Sequence, residues 1–355
     1  MSAARERVLV AMSGGVDSSV AAALLLEQGH EVIGVTLKMR PDEFTTADSV
    51  IQAREAAKRL EIEHLVVDQR REFEQVLRYS WDEYARGRTP NPCVVCNPRV
   101  KFAVLFGVAK TQGATKIATG HYARIIADEN ATPRLWRGVD RQKDQSYFLF
   151  ALDGAQLAAT IFPLGELTKP QVRDMARRLG LPNAERAESQ DACFVEKGEV
   201  FAEMLRRHFG AAERPGAIVD ATGNEVGRHE GVHHFTIGQR RGLGVALGRP
   251  AWVKAIDADA ARIVLTADEN ELLSRGLVAD GVVWHGPIGD EPVHCEIQVR
   301  YRHQPVTAVL EHREAGQARV RFTRPIKAVT PGQAAVFYGG DRVLGGGIIE
   351  RALEE

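Results

Sequence analysis

Short apolar runs alternate along the first part of the chain with stretches in which apolar residues recur every three or four positions. Short β-branched or aliphatic runs over 8–11, 32–37, 65–67 and 116–119 read as strands. Between them, 19–28, 47–60, 72–86 and 100–112 carry the helical period, and Gly29 and Gly113 stand where helices should end. This alternation predicts a doubly wound α/β domain built on a parallel sheet. Thr168-Lys169-Pro170 opens one more helix, with Thr168 as N-cap and Pro170 in the first turn, running to 178. Past Gly210 the period changes to short β-patterned runs between glycine turns, at 217–219, 251–256, 262–265, 296–301, 318–322 and 334–338. That region is expected to be all-β, as one or two small barrels or sandwiches.

The 355 residues exceed one ordinary core, since about 150 residues make a domain. A composition of 44% hydrophobic and 26% charged residues is that of a folded globular chain and excludes disorder for most of its length. The apolar stretch 8–12 is short and lacks a small-residue cleavage pattern, so no export signal is expected. The longest apolar run, 20–26, falls well below the ~20 residues a bilayer requires, so no membrane span is expected either. Four cysteines are too few for a disulfide framework and read as thiols in a reducing compartment, the cytoplasm.

The formal charge is −1, but it is unevenly spread. Residues 86–145 carry eleven basic against four acidic residues, and 300–327 carry seven against two, while 251–300 carry four against nine. Two basic zones of this kind suit a polyanion too large for one pocket.

The most informative segment is Val8-Leu9-Val10-Ala11-Met12-Ser13-Gly14-Gly15-Val16-Asp17-Ser18-Ser19. A buried strand, a glycine-hydroxyl turn and a helix start aim unpaired backbone N–H groups and the positive helix end at an anion. Asp17 near phosphate needs a reason, which a bound Mg²⁺ or an N-cap role would supply. The GxxxxGK[ST] and GxGxxG loops are both absent. SGGxDS after a first strand resembles the pyrophosphate loop of the N-type ATP pyrophosphatases, which split ATP by adenylating a substrate oxygen.

Two thiols lie in Thr89-Pro90-Asn91-Pro92-Cys93-Val94-Val95-Cys96-Asn97, read as a proline-rigid loop, with Arg99 and Lys101 nearby to favour thiolate. Cys193 lies in Glu188-Ser189-Gln190-Asp191-Ala192-Cys193-Phe194, and Cys295 reads as filler in a sheet interior. Structural zinc wants two close ligand pairs, and there is no second pair. A thioredoxin-like pair would open the first helix, where the phosphate loop stands. Two chemistries stay open: sulfur transfer through Cys96 and Cys193, or an iron–sulfur cluster on Cys93, Cys96 and Cys193 with one open iron site.

These residues resemble the tRNA-specific 2-thiouridylases over nearly the whole chain. Carrying the resemblance are Gly87-Arg88-Thr89-Pro90-Asn91-Pro92, Ala118-Thr119-Gly120-His121-Tyr122-Ala123-Arg124, Lys143-Asp144-Gln145-Ser146-Tyr147-Phe148-Leu149, Ser189-Gln190 with Cys193-Phe194, Thr236-Ile237-Gly238-Gln239-Arg240-Arg241-Gly242-Leu243-Gly244, Arg300-Tyr301 and Pro331-Gly332-Gln333. The resemblance implies an ATP pyrophosphatase domain over 1–209, a small central β domain over 210–276 and a C-terminal β-barrel over 277–355. It implies ATP with Mg²⁺ at Ala11, Met12, Ser13, Gly14, Gly15, Val16, Asp17, Ser18, Leu37 and Gly120. Cys193 would carry sulfur as a persulfide received from a donor protein, and Cys96 would resolve it. Asn91, Pro92 and Cys93 would lie against the target base, the wobble uridine of a tRNA. His121, Lys143, Asp144, Gln145, Arg300, Tyr301 and Gln333 would contact the tRNA. Cys93 departs from the family's frequent Asp, which leaves a [4Fe-4S] cluster in play. Two rival classes are an amide-forming ATP pyrophosphatase, which needs no thiols, and a non-enzymatic RNA-binding protein that would tolerate loss of Cys96 and Cys193.

Overall fold

The computed structural model of the chain describes residues 5–39, 47–185, 198–287, 289, 291–314 and 316–354. Its contacts divide it into two compact units. The first comprises residues 1–74, 93–194 and 341–343, and the second residues 75–92, 195–340 and 344–355.

In the first unit the alternating pattern becomes β1 (Arg7–Ala11), α1 (Val16–Glu27), β2 (Glu31–Lys38), α2 (Ala47–Arg59), β3 (Glu63–Asp68) and the start of α3 (Arg70–Ala85). After α4 (Pro92–Cys96) and α5 (Ala103–Thr111) come β4 (Lys116–Thr119), the hairpin β5 (Ala123–Ala127) and β6 (Pro133–Arg137), α6 (Gly154–Ala158), β7 (Thr160–Ile161) and α7 (Lys169–Arg178). The sheet runs β3-β2-β1-β4-β7, with its strand pairs parallel. The neighbours of β1 are β2 on one side and β4 on the other, so the strand order reverses there and a crevice opens past their carboxyl ends. Helix α1 is apolar nearly all round because it is enclosed: Ala22 and Leu25 join the sheet core with Val8 and Val10, while Val20 and Ala21 meet Val172 and Ala176 of α7. Gly29 and Gly113 follow their helices with φ of +86° and +66°, as their positions predict. The hairpin β5–β6 and the sheet-edge strand β7 were not legible, being too short or too polar.

The larger difference is at the thiols. The expected loop is helical, because α4 begins at Pro92, continues through a wide π-helical turn over Asn97–Phe102 and joins α5. Proline is tolerated in a first helical turn, which is how the sequence misleads here. This run, Pro92–Thr111, has 20 residues and a mean hydropathy of 1.3, long and apolar enough by length and composition to cross a membrane. The expectation drawn from apolar runs alone missed it. It packs on β1 and β4 as a core helix and carries Arg99 and Lys101.

In the second unit, α8 (Phe201–His208) precedes the sheet β10-β11-β8-β9, formed by β8 (Gly216–Val219), β9 (Glu225–His229), β10 (Trp252–Asp257) and β11 (Arg262–Thr266). Then β12 (Leu273–Trp284), β13 (Val293–Gln298), β14 (Val306–Glu314), β15 (Gln317–Lys327), β16 (Ala334–Gly339) and β17 (Arg342–Leu353) pair in the order β12-β15-β14-β13-β16-β17, and β12 pairs again with β17. That last pairing closes a six-stranded barrel and removes its edges. Leu277, Ile297, Val320, Phe337 and Ile349 fill it, together with Cys295. Burial pushes the Cys295 thiol up to about 12, as expected of a packing residue. The strand expected over 296–301 ends at Gln298, leaving Arg300 and Tyr301 in the turn beyond it.

Candidate functional site

The turn after β1 lies at the crevice where the strand order reverses. Met12 N donates to Val35 O at 2.8 Å, which fixes the strand's exit beside β2. Gly14 has φ +77°, and a Cβ there would stand 2.3 Å from Ser49 O, so only glycine fits. Gly15 is the N-cap of α1, without a side-chain cap. Ser13 N donates to Ser18 Oγ at 3.1 Å, and Ser18 Oγ and Ser19 Oγ donate to Gly15 O at 3.0 and 3.2 Å. Gly120, just after β4, sits against this turn: a Cβ there would lie 2.8 Å from both Asp17 C and Ser18 N. Ala11 through Ser18 and Gly120 are therefore brought together. Thr36 at the end of β2 donates to Met12 O at 2.7 Å, and half-buried Leu37 follows it.

Three residues that sequence reasoning did not assign complete the turn. Lys169 Nζ, in a residue only 7% exposed, donates to both Asp17 oxygens at 2.6 and 2.7 Å. Tyr122 Oη donates to Asp17 Oδ1 at 2.8 Å. Asn183 Nδ2 donates to Gly14 O at 3.1 Å and Ser19 Oγ at 2.9 Å. Asp17 is thus paired with an ammonium, and its position inside α1, whose N-cap is Gly15, excludes the N-cap role. The signal for Lys169 was present in its place at the start of α7, where Thr168 caps as expected. A cavity of about 400 Å³ beside Lys169 is lined also by Lys143, Arg173 and Arg177 together with Asp140 and Asp174.

His121 is half-buried, with its Nδ1 2.7 Å from Thr119 Oγ1 and its ring stacked on Phe102. Burial, and secondarily the charge of Lys101, holds its pKa well below the usual histidine value, so it is neutral near pH 7. Asp144 does not face outward. Buried at 8% exposure, it accepts from Arg137 Nη1 at 3.1 Å, Gly138 N at 3.0 Å, and Ser146 N and Oγ at 3.1 and 3.0 Å. Gln145 is turned back likewise, accepting from Tyr122 N at 3.1 Å. Cys93 is half-buried and Cys96 buried, and their i, i+3 spacing places them on one face of α4. Cys193 lies outside the described residues.

The first domain matches the profile described as tRNA methyl transferase HUP domain over residues 6–197. The tRNA methyl transferase PRC-barrel domain follows over 202–267, and the aminomethyltransferase beta-barrel domain over 274–349. The chain is 47% identical over 365 residues to a tRNA-specific 2-thiouridylase of Geobacter metallireducens, covering 99% of each. Proteins of the same name from Geotalea uraniireducens and a Roseiflexus species are 45% and 46% identical, covering 98% and 97% of this chain and 96% and 99% of theirs. The chain belongs to the tRNA-specific 2-thiouridylase family.

The remaining expected contacts lie in the second unit. Arg300 and Tyr301 line a cavity of about 480 Å³ with Arg302, Arg324 and Lys327. Gln333 turns elsewhere: its Nε2 donates to Thr89 O at 3.0 Å and Pro90 O at 3.2 Å. Thr89 N donates to Pro331 O at 2.9 Å, and Thr89 Oγ1 bonds Thr236 Oγ1 at 3.0 Å. A Cβ on Gly332 would strike the Thr89 backbone at 2.8 to 3.0 Å. Asn91 and Pro92, both buried, continue this clamped segment.

Proposed function

We infer that this protein is a tRNA-uridine 2-sulfurtransferase, which uses ATP to replace the C2 oxygen of a tRNA uridine by sulfur. The observation that carries the reading is the relatedness to named 2-thiouridylases over 99% of the chain. The anion-binding turn of Ser13 to Ser18, backed by Lys169, supports it chemically. Methyl transfer fits the site less well, because a glycine-serine turn at a helix start is suited to phosphate groups.

A uracil C2 oxygen is a poor leaving group. Attack by that oxygen on the α-phosphorus of ATP releases pyrophosphate and leaves the oxygen as part of AMP. The N–H groups of the turn and the start of α1 would hold the pyrophosphate as its charge develops, and Gly120 lets the backbone approach. Mg²⁺ would arrive with the triphosphate, since Asp17 already pairs with Lys169. Persulfide sulfur on Cys193 then attacks C2 and AMP departs. The Cys96 thiolate attacks the remaining S–S bond, giving the C=S product and a Cys96–Cys193 disulfide that an external thiol reduces. Sulfur reaches Cys193 from a donor protein.

Reaching a base in an anticodon loop requires splayed single-stranded nucleotides. Asn91, Pro92 and Cys93 would meet the wobble uridine, while Lys143, Arg300 and Tyr301 contact backbone. His121, neutral, would act as a hydrogen-bonding surface rather than a phosphate clamp. Asp144, Gln145 and Gln333 would act by shaping the segments that bear contacts. The division at 209/210 and 276/277 and a cytoplasmic site of action belong to the same proposal.

A second mechanism draws support from Cys93 and Cys96 sharing a helical face. With Cys193 they would supply three thiolates to a [4Fe-4S] cluster, whose open iron would bind sulfur. Nucleoside mass spectrometry of tRNA incubated with ATP, Mg²⁺ and a sulfide or persulfide source tests the function. 2-Thiouridine with matching AMP and pyrophosphate is expected, and its absence under anaerobic conditions, with and without reconstituted cluster, overturns the reading.

A further inference from the structure

The second unit contains a cluster for which the thiolation chemistry has no use. Glu203 on α8, with His233 and His234 in the short 3-10 turn Val232–His234, bring one ligand atom each to within 4.8 Å of one another. The His233 residue is only 7% exposed, and its buried Nε2 has no hydrogen-bond partner among the described residues. Glu203 Oε2 stands 3.5 Å from it, beyond the range of an ordinary hydrogen bond. Its one near neighbour is that carboxylate oxygen, at ion-pair rather than hydrogen-bond distance, and so loose a contact for a buried ring nitrogen requires an explanation.

The same separation is close to what a metal ion would impose. Zinc bonds of about 2.0–2.1 Å to imidazole and carboxylate set neighbouring ligand atoms about 3.4 Å apart on a tetrahedron. We propose that Glu203, His233 and His234 form a binding site for a divalent transition-metal ion of the zinc type. His234 is exposed and His233 buried, so solvent reaches the cluster at His234. Two imidazoles and a carboxylate are a donor set that borderline metals favour over calcium or magnesium.

The surroundings fit such a site. Arg206 Nε and Nη2 donate to Glu203 Oε2 and Oε1 at 2.9 and 2.7 Å. A carboxylate oxygen has two lone-pair directions, so Arg206 takes one on each and leaves another for the ion, orienting the ligand from outside. Gly231 makes room for the buried ring, since a Cβ there would stand 2.2 Å from His233 Cε1 and 2.4 Å from Nδ1. Trp81 meets the His233 ring edge-on, with centroids 5.5 Å apart, which puts a fluorophore beside the site. A bound ion would tie α8 to the turn that follows β9 and so stabilise this unit.

The test uses the full chain, freed of metal by chelation and titrated with Co²⁺ and then Zn²⁺. Expected are visible Co²⁺ bands without sulfur-to-cobalt charge transfer, quenching of tryptophan emission by Co²⁺, and a rise in Tm on adding Zn²⁺. His234→Ala alters an exposed residue and removes one ring contact, 4.1 Å between centroids, with His233, so it should weaken Co²⁺ binding at least ~10-fold and abolish the Zn²⁺-dependent rise in Tm, while the Tm without metal changes little. Equal Co²⁺ binding by wild type and His234→Ala, or only thiolate-type spectra in both, would overturn the proposal.

Discussion

Gln333, in the turn before β16, donates its side-chain amide to the carbonyl oxygens of Thr89 and Pro90, 244 and 243 positions earlier in the chain. A barrel residue thereby fixes the backbone of Thr89 and Pro90, in the same compact unit.

Gln333→Ala leaves those two half-buried carbonyls without their donor, at a cost of about 1–3 kcal/mol. If Gln333 positions the segment, kcat for thiolation should fall ~10-fold or more while the Kd for tRNA changes less than ~3-fold. Single-turnover kinetics beside filter binding would separate the two, and a loss confined to tRNA affinity would return Gln333 to the RNA surface.

Lys169→Met removes the ammonium from a carboxylate whose side chain is 32% exposed. Breaking a fully buried pair costs several kcal/mol, but solvent at Asp17 reduces this to about 1–3 kcal/mol. The larger effect is expected on ATP use, with pyrophosphate release falling at least ~100-fold and Lys169→Arg recovering part of it.

Gly120→Ala would set a methyl group 2.8 Å from the backbone at Asp17 and Ser18, where nothing can rotate away. The expected result is a folded protein destabilised by about 1–3 kcal/mol, with ATP binding weakened more than tRNA binding. Calorimetric titration with a non-hydrolysable ATP analogue would measure it.

His121 stays neutral in the folded protein because burial disfavours its charge. The unfolded chain takes up a proton there below its ordinary pKa of about 6.5, so the unfolded state binds more protons and stability falls as pH drops through that value. Up to about 1.4 kcal/mol per pH unit below 6.5 is expected from this group. Urea midpoints at pH 7.5 and 5.5 should show a smaller acid loss in His121→Phe than in wild type.

Cys295, with its thiol pushed up to about 12 inside the barrel, should resist iodoacetamide at pH 8 in native protein and react after denaturation. Peptide mapping by mass spectrometry would show it. Labelling of native Cys295 at the rate of a surface thiol would contradict its packing role.

The sequence by itself determined what depends on neighbours a few residues apart. The parallel α/β domain, the glycine-serine turn after β1, the helix opening at Thr168 and the change to β structure near Gly210 all follow from local period and turn chemistry. Motif spacing carried the family resemblance in the same way. Tertiary structure decided the rest. Lys169 meets Asp17 across 152 positions and Asn183 meets Gly14 across 169, so no local pattern announces either pair. Asp144 turns inward onto Arg137, and Pro92 starts a helix where proline suggested a loop. Closure of the barrel by β12 and β17, and the meeting of Glu203 with His233, are likewise long-range. The physical reason is that backbone preference and periodicity act over one or two turns of chain. The partner of a buried charge or ring nitrogen is settled only when distant segments pack and exclude water.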